Sequence, residues 1–216
     1  MRNRFDKQLE ELGIELTRMG ARIEDAIRFA TKALTGQDPA AAELALEADS
    51  EIDELEKDIE QRCFKLLLHE QPVASDLRLV SSALKMITDM ERIGDQAADI
   101  TELAMAMAGR GQAENLDLVP KMAEATIKMV TGSVEAFVRK DKELAVSVCE
   151  SDDVVDSLFN RVKDDIVGMI RGDAALSEQA IDLLMVAKYF ERIGDHAVNI
   201  AGWVIFSITG QHGKEK

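Results

Sequence analysis

Two identical acidic motifs stand 100 residues apart in this chain of 216 residues. The letters ERIGD begin at Glu91 and again at Glu191. Each residue of a helix advances about 100° around the axis, so Glu91, Asp95 and Asp99 lie in one stripe. Like charges four residues apart cost a helix a few tenths of a kcal/mol per pair, roughly, so we expect another group to offset them. The repeat predicts one structural unit used twice.

A second pair of acids, four residues apart on another helix, accompanies each motif. If that helix packs beside the motif helix, the acids face one another across a groove. The sequence therefore predicts two grooves lined by oxygen ligands, which are Asp49, Asp53, Glu91, Asp95 and Asp99 in the first half and Asp152, Asp156, Glu191, Asp195 and Asn199 in the second. Asn199 takes the place of an acid, which leaves the second site one charge weaker.

Carboxylates that converge from two helices are stabilised by a multivalent cation. Ligation by oxygen alone favours hard ions such as iron, Mn²⁺, Mg²⁺ or Ca²⁺ over structural zinc, which prefers Cys and His. A solvated acidic face is the alternative for any single Asp-x-x-x-Asp in a chain with 41 acidic residues. Recurrence in both halves, beside an apolar face, favours the cation site and leaves the identity of the ion open.

The absence of catalytic motifs argues against an enzyme. Di-iron bundles pair Glu with His three residues later, and the sequence contains no Glu-x-x-His. His196 projects about 100° away from Asp195, so we expect an exposed or interhelical histidine. The sequence also has no glycine-rich phosphate loop and no nucleophile elbow. We predict a non-enzymatic protein, with a carboxylate-bridged metalloenzyme or a metal-storage bundle as the alternative.

The other residues of the motif have simpler interpretations. Arg92 and Arg192 could bind phosphate or neutralise the acidic stripe, and the intramolecular ion pair is the favoured interpretation. Glycine inside a helix costs roughly 1 kcal/mol relative to alanine. Gly94 and Gly194 are therefore expected where a neighbouring helix approaches closely.

Apolar residues spaced three and four apart predict the elements that position these acids. Six long helices are expected, beginning near Phe5, Asp38, Ser75, Val119, Asp141 and Ser177. Glycines and polar residues between 109 and 115 separate the third helix from the fourth. The predicted fold is all-α, with two tandem antiparallel three-helix bundles related by pseudo-twofold symmetry and domains at 1–109 and 116–210.

The amino-acid composition limits the classes of partner that the protein can bind. The formal net charge is −15 and 46% of the residues are hydrophobic, so the chain can bury a core but repels nucleic acid and anionic membranes. Neither a signal peptide nor a stretch of about 20 apolar residues is present, which predicts a soluble cytoplasmic protein. Cys63 and Cys149 are expected in or near the core, since two cysteines in helical patterns form no disulfide framework.

The chain resembles the PhoU family of accessory regulators of bacterial phosphate-specific transport. The resemblance spans nearly the full length and rests on both ERIGD motifs, the paired Asp-x-x-x-Asp segments, Gln71-Pro72-Val73-Ala74 with Asp76-Leu77-Arg78, and Asp195-His196 with Asn199-Ile200. It implies two three-helix bundles, a tendency to form homodimers, and metal clusters held at the acidic positions named above.

The resemblance also implies a role. Proteins of this kind repress the phosphate-starvation response and restrain phosphate uptake by contacting the transporter ATPase subunit and the phosphate-sensing histidine kinase. We therefore expect a cytoplasmic negative regulator of phosphate homeostasis and signal transduction. An acidic, elongated helical surface is compatible with docking on other proteins.

Overall fold

The computed structural model describes residues 2–70, 72, 74–108 and 116–211. This part of the chain forms six long helices, which are α1 (Arg2–Gly36), α2 (Pro39–Glu70), α3 (Ser75–Ala108), α4 (Val119–Arg139), α5 (Lys142–Gly172) and α6 (Ser177–Thr209). A single 3-10 turn, Ala174–Leu176, precedes α6. The predicted all-α, six-helix fold is confirmed.

The six helices pack as two sets of three. Helices α1, α2 and α3 contact one another, and so do α4, α5 and α6. The two sets meet where α3 packs against α6 and α1 against α4. Within the described residues, α2 and α5 contact no helix of the other set. These pairings are the ones that a twofold relation between the halves requires, with α3 and α6 at the centre.

Local sequence signals set the helix boundaries. The Asp38 carboxylate accepts from the backbone N–H groups of Ala40 and Ala41 at 3.0 and 3.2 Å, so it caps α2 as predicted. Asp141 caps α5 in the same way, by accepting from the N–H of Leu144 at 3.0 Å. Gly210, at φ 73°, closes α6 in the left-handed conformation that glycine adopts without strain.

A continuous hydrophobic core runs through both halves. Leu16, Met19 and Ile23 of α1 are fully buried, as is Phe190 of α6. Cys63 is also fully buried and Cys149 packs at the edge of the core, which confirms the structural interpretation of both cysteines. Burial raises the pKa of the Cys63 thiol to about 12, so it stays protonated.

An ion-pair network centred on Arg62 joins α1 to α2. The Arg62 guanidinium donates two hydrogen bonds of 2.6 Å to the Glu15 carboxylate and one of 2.8 Å to Glu11. The predicted domain boundary at 110–115 lies outside the described residues, as do Gln71 and Val73 of the family motif. None of the described helices is sufficiently long and apolar to span a membrane.

Candidate functional site

The first acidic groove lies between α2 and α3, where Gly94 faces Asp49. A Cβ atom at Gly94 would stand 2.9 Å from Asp49 Oδ1 and 3.2 Å from the nearest Ile52 atom. A contact below 3.0 Å essentially never occurs for a real Cβ atom, so any residue other than glycine would require Asp49 or α2 to shift. The predicted close approach of a neighbouring helix is confirmed, and it brings the α2 acids beside the α3 acids.

Asp49 is the carboxylate most affected by this arrangement. Its pKa is raised to about 6, first by burial and then by the charges of Asp53, Asp95 and Asp99. Its Oδ1 atom is buried and has no hydrogen-bond partner among the described residues. Acids from the two helices therefore face each other as the sequence predicts, and one oxygen at the bottom of the groove is left unpaired.

The remaining acids extend the negatively charged surface of this groove along α3. Burial and Asp95 raise the pKa of Glu91, and burial, Glu102 and Asp95 raise that of Asp99. Glu56 of α2 also belongs here, since its charge contributes to the raised pKa of Glu91. Sequence reasoning missed Glu56, although its position three residues after Asp53 continues the acidic stripe of α2.

Arg92 neutralises part of this charge from the outer edge. Its Nη1 lies 3.0 Å from Asp95 Oδ2 and its Nε lies 3.5 Å from Glu91 Oε2, which confirms the intramolecular ion pair. The Arg92 side chain is 57% exposed, so these pairs are solvated. Arg192 of α6 also lies near this groove. Its positive charge partly offsets the rise in the pKa of Asp99 that burial causes.

The second groove lies between α5 and α6. A Cβ atom at Gly194 would stand 3.3 Å from Asp152 Oδ1, a looser approach than at Gly94. The pKa of Asp195 is raised by burial, Glu191 and Asp156, and Lys188 and His196 oppose the shift. The four acids predicted in this groove therefore lie along one surface. Lys188 Nζ pairs directly with Glu191 Oε2.

Asn199 and His196 point toward the other half of the molecule. Asn199 Nδ2 donates to Asp89 Oδ1 of α3 at 3.1 Å, and His196 Nδ1 lies 2.9 Å from the same oxygen. His196 is thus the interhelical residue that was expected. The amide nitrogen of Asn199 therefore makes a hydrogen bond between α3 and α6. A role for its amide oxygen as a metal ligand stays a prediction.

The fit of these residues to a metal ion is incomplete in their present rotamers. Among the described residues, no three His, Cys, Asp or Glu side chains gather closely enough to hold an ion. The unpaired Asp49 oxygen and the raised pKa of Asp49 and its neighbours nevertheless show excess negative charge in the first groove. A hard-cation site at Asp49, Asp53, Glu91, Asp95 and Asp99 stays a prediction.

Comparisons with known proteins agree with this architecture. A family model described as the PhoU domain matches twice, at residues 16–104 and 119–204, once in each half. A phosphate-specific transport system accessory protein PhoU homolog from Clostridium acetobutylicum is 36% identical over 208 residues, covering 96% of this chain and 95% of that protein. One from Aquifex aeolicus is 36% identical over 215 residues, covering 97% of each chain.

Solved structures show the same fold. The crystal structure of PhoU from Pseudomonas aeruginosa has a TM-score of 0.90 at 33% identity, covering 96% of this chain and 100% of that one. The phosphate transport system regulatory protein PhoU from Streptococcus pneumoniae has a TM-score of 0.88 at 26% identity, covering 98% and 100%. Because the family model matches both halves and the fold is shared along the chain, this protein belongs to the PhoU family, whose members are phosphate transport accessory proteins.

Proposed function

We propose that this protein is a cytoplasmic negative regulator of phosphate uptake and of the phosphate-starvation response. The observation that carries the proposal is the family match in both halves, together with relatives named as accessory and regulatory proteins of phosphate transport. The protein acts by contact with the transporter ATPase subunit and the phosphate-sensing histidine kinase. Its acidic surface, with a net charge of −15, suits docking on basic protein surfaces.

Deletion of the gene tests this regulatory role. In a medium rich in phosphate, the deletion strain should take up phosphate faster and express phosphate-starvation genes, and the wild-type gene supplied in trans should restore repression. Co-purification of the tagged protein with the transporter ATPase and with the kinase tests the partners. Unchanged uptake and unchanged expression after deletion would contradict the proposal.

We further propose that the acidic grooves hold hard metal ions, namely iron, manganese, magnesium or calcium. The support is the unpaired buried oxygen of Asp49, together with the burial and then the mutual repulsion of carboxylates that raise the pKa of Asp49 and Glu91. Protein purified without chelator should contain more metal than the Asp95→Ala, Asp195→Ala double variant. Equal metal content in the two proteins would rule the metal sites out.

We also propose that the protein is a homodimer and, as a second part, that it has no enzymatic activity. Sedimentation equilibrium across a range of concentrations tests the dimer, which requires a mass of twice 23.8 kDa. Assays of oxygen consumption and phosphatase activity with added iron or manganese test the second part. Turnover that depends on either metal and disappears in the double variant would favour a carboxylate-bridged metalloenzyme instead.

A further inference from the structure

An open apolar groove lies between the first half of α1 and the end of α4, away from both acidic grooves. It encloses about 460 Å³ and is lined in part by Leu79 and Phe137, which are buried. Ile14 of α1 and Val138 of α4 line it too, and these side chains are 68% and 46% exposed. Large apolar side chains that project beside an apolar groove are typical of a surface that binds another protein. We call this surface the α1–α4 groove.

The two helices of this groove differ in charge from the rest of the molecule. Together α1 and α4 contain ten basic and eight acidic residues, so their net charge is +2. The other four helices contain 12 basic and 27 acidic residues, which gives a net charge of −15. Two copies of the chain that meet through those four helices bring like charges together, which opposes association. The α1–α4 groove is where a second copy meets the least repulsion.

Most charges beside the groove are neutralised within their own helix. Three ion pairs between residues one turn apart have distances of 2.7–2.8 Å, namely Arg28 with Glu24 on α1, and Lys128 with Glu124 and Arg139 with Glu135 on α4. A surface whose charges are already paired presents little net field to an approaching chain. Its apolar side chains can therefore come into contact with a second copy.

The charges at the rim of the groove are the exception. Asp6 and Glu10 lie on the α1 wall and Lys140 lies on the opposite wall, just after α4, and all three are exposed. Within the part of the chain that the structure describes, none of these three side chains forms an ion pair or a hydrogen bond. The groove therefore has one acidic and one basic wall, and both are available to a partner.

This combination is complementary to itself. A twofold dimer uses the same surface on both chains, so each contact between two different residues occurs twice. Ile14 of each chain can then enter the apolar groove of the other. In the same arrangement the acidic wall of each chain lies against the basic wall of the other, so that charge complementarity favours a second copy as the occupant.

We propose that the α1–α4 groove is the interface of the homodimer, in which a second copy of this chain docks with Ile14 in the groove and Glu10 beside Lys140 of the partner subunit. This inference rests on the proposed homodimer and adds to it the surface through which the two chains meet. It makes Ile14 the apolar anchor, and it makes Glu10 and Lys140 the charges that set the orientation.

Sedimentation equilibrium of the full chain tests the apolar contact. Ile14→Glu should raise the dissociation constant of the dimer about a hundredfold or more, because each dimer loses two buried isoleucines and gains two desolvated carboxylates. Leu68→Glu is the matched control, because Leu68 is 74% exposed near the end of α2, which does not form the groove. The control should leave the dissociation constant unchanged. Circular dichroism shows whether both variants fold.

Two charge variants in separate chains test the orientation. Glu10→Lys alone and Lys140→Glu alone each place like charges at both contacts of their own homodimer, so each should dimerise more weakly than wild type. A mixture of the two variants places opposite charges at both contacts. Native mass spectrometry, with an affinity tag on one chain, should therefore show mixed dimers well above the half share that random pairing gives.

The outcomes separate the homodimer from its surface. Wild type that stays at 23.8 kDa at every concentration contradicts the proposed homodimer, and this inference fails with it. A wild-type dimer that Ile14→Glu leaves intact, or that Leu68→Glu weakens equally, keeps the homodimer and overturns the surface. Random pairing of the two charge variants overturns the orientation.

A different occupant of the groove would give another pattern. If wild type is monomeric and Ile14→Glu abolishes co-purification with the transporter ATPase or the kinase, the groove binds that protein and the second-copy assignment is overturned. If Ile14→Glu does not fold, the charge variants decide the question, since Glu10 and Lys140 are exposed. Preferred mixed dimers then support the surface, and random pairing overturns it.

Discussion

Asp49 occupies a position where its negative charge is costly. Close packing against Gly94 removes water from one carboxylate oxygen, and no donor replaces that water among the described residues. An unpaired buried polar atom costs about 1–3 kcal/mol, so it persists only where the surrounding structure fixes it or a ligand uses it. Its environment therefore couples folding to pH.

The pH dependence of stability follows from this residue. The pKa of Asp49 is raised from 3.8 to about 6, so between those values the folded protein binds a proton that the unfolded chain does not. Without divalent cations, stability should therefore rise as the pH falls from 7 to 5. Asp49→Asn should be more stable than wild type at pH 7.5 by about 1–2 kcal/mol, after allowance for solvent screening.

Urea denaturation at several pH values, with a chelator present, measures this effect. Asp49→Asn should reduce the gain in stability between pH 7 and pH 5, because the variant lacks the carboxyl that takes up the proton. Part of the gain should remain, because Glu91, Asp99 and Asp195 retain their raised pKa values. Asp58→Asn removes an exposed charge from the same helix and serves as the control. A pH profile for Asp49→Asn that matches wild type would contradict the assignment.

The two motif glycines should respond differently to alanine. At Gly94 a Cβ atom would clash with Asp49 and crowd Ile52, whereas at Gly194 the nearest atom lies at 3.3 Å. Overpacking costs about 1–3 kcal/mol and the gain in helix propensity is about 1 kcal/mol. Gly94→Ala should therefore lower the free energy of unfolding by roughly 1 kcal/mol, and Gly194→Ala should leave it unchanged or raise it.

Thermal denaturation of the two variants side by side checks this difference. Each variant is the other's control, since both substitutions lie at the same motif position. Equal melting temperatures for the two would show that Asp49 or α2 moves to admit the methyl group at little cost, and the tight approach at Gly94 would then not be a constraint on the groove.

At the level of the helices, Arg62 is the main polar connection between α1 and α2. It is partly buried and makes three charged hydrogen bonds to Glu15 and Glu11. Arg62→Met should lower stability by about 1–2 kcal/mol, and Arg62→Lys should lose much of the same energy, since lysine lacks the planar fork. Urea denaturation measures both losses.

The exposed pair on α4 provides the comparison. Arg139 contacts Glu135 one turn away on its own helix, and both side chains are more than half exposed. Arg139→Met should therefore change stability by less than about 0.5 kcal/mol. A loss equal to that of Arg62→Met would show that net charge, rather than the α1–α2 connection, governs the effect.

Helix boundaries could be predicted because their causes are local. Asp38 before Pro39 starts α2 and Gly210 ends α6, and each signal depends only on nearby backbone geometry. The 3-10 turn at Ala174–Leu176 was not predicted, since its apolar residues carry no periodicity of their own. The start of α1 at Arg2 instead of Phe5 was also not predicted, because polar residues at a helix start give no apolar pattern.

The acids across each groove could be predicted from helical periodicity and the internal repeat. Gly94 against Asp49 required only that neighbouring helices be antiparallel. The contact of Asn199 with Asp89 could not be predicted, since it depends on how α3 crosses α6. The pairing of Lys188 with Glu191 depends on rotamers that the sequence does not specify.

For the whole molecule, the contact surface between α3 and α6 is the larger of the two through which the halves meet. Asp89 is its polar anchor, since one carboxylate oxygen contacts both His196 and Asn199. Replacing Asp89 and Asn199 by alanine, singly and together, should give a coupling energy of about 0.5–1.5 kcal/mol. Urea denaturation of the four proteins in the cycle measures it.

A second cycle controls for indirect effects. Asn160 lies on the exposed side of α5 and bonds to its own helix, at the Asp156 carbonyl. The effects of Asp89→Ala and Asn160→Ala should therefore add to within about 0.5 kcal/mol. Coupling in this control as large as that between Asp89 and Asn199 would mean that the energy does not come from the α3–α6 contact.

The continuous core across α3 and α6 has a consequence for how the chain can be divided. Each half contains a full set of three helices, yet α3 and α6 bury apolar residues against each other. A half-length chain would expose that face to water and would seek a complementary surface. Two separate polypeptides, 1–108 and 116–216, should therefore assemble into a heterodimer, and the contact that is internal here would serve as a subunit interface.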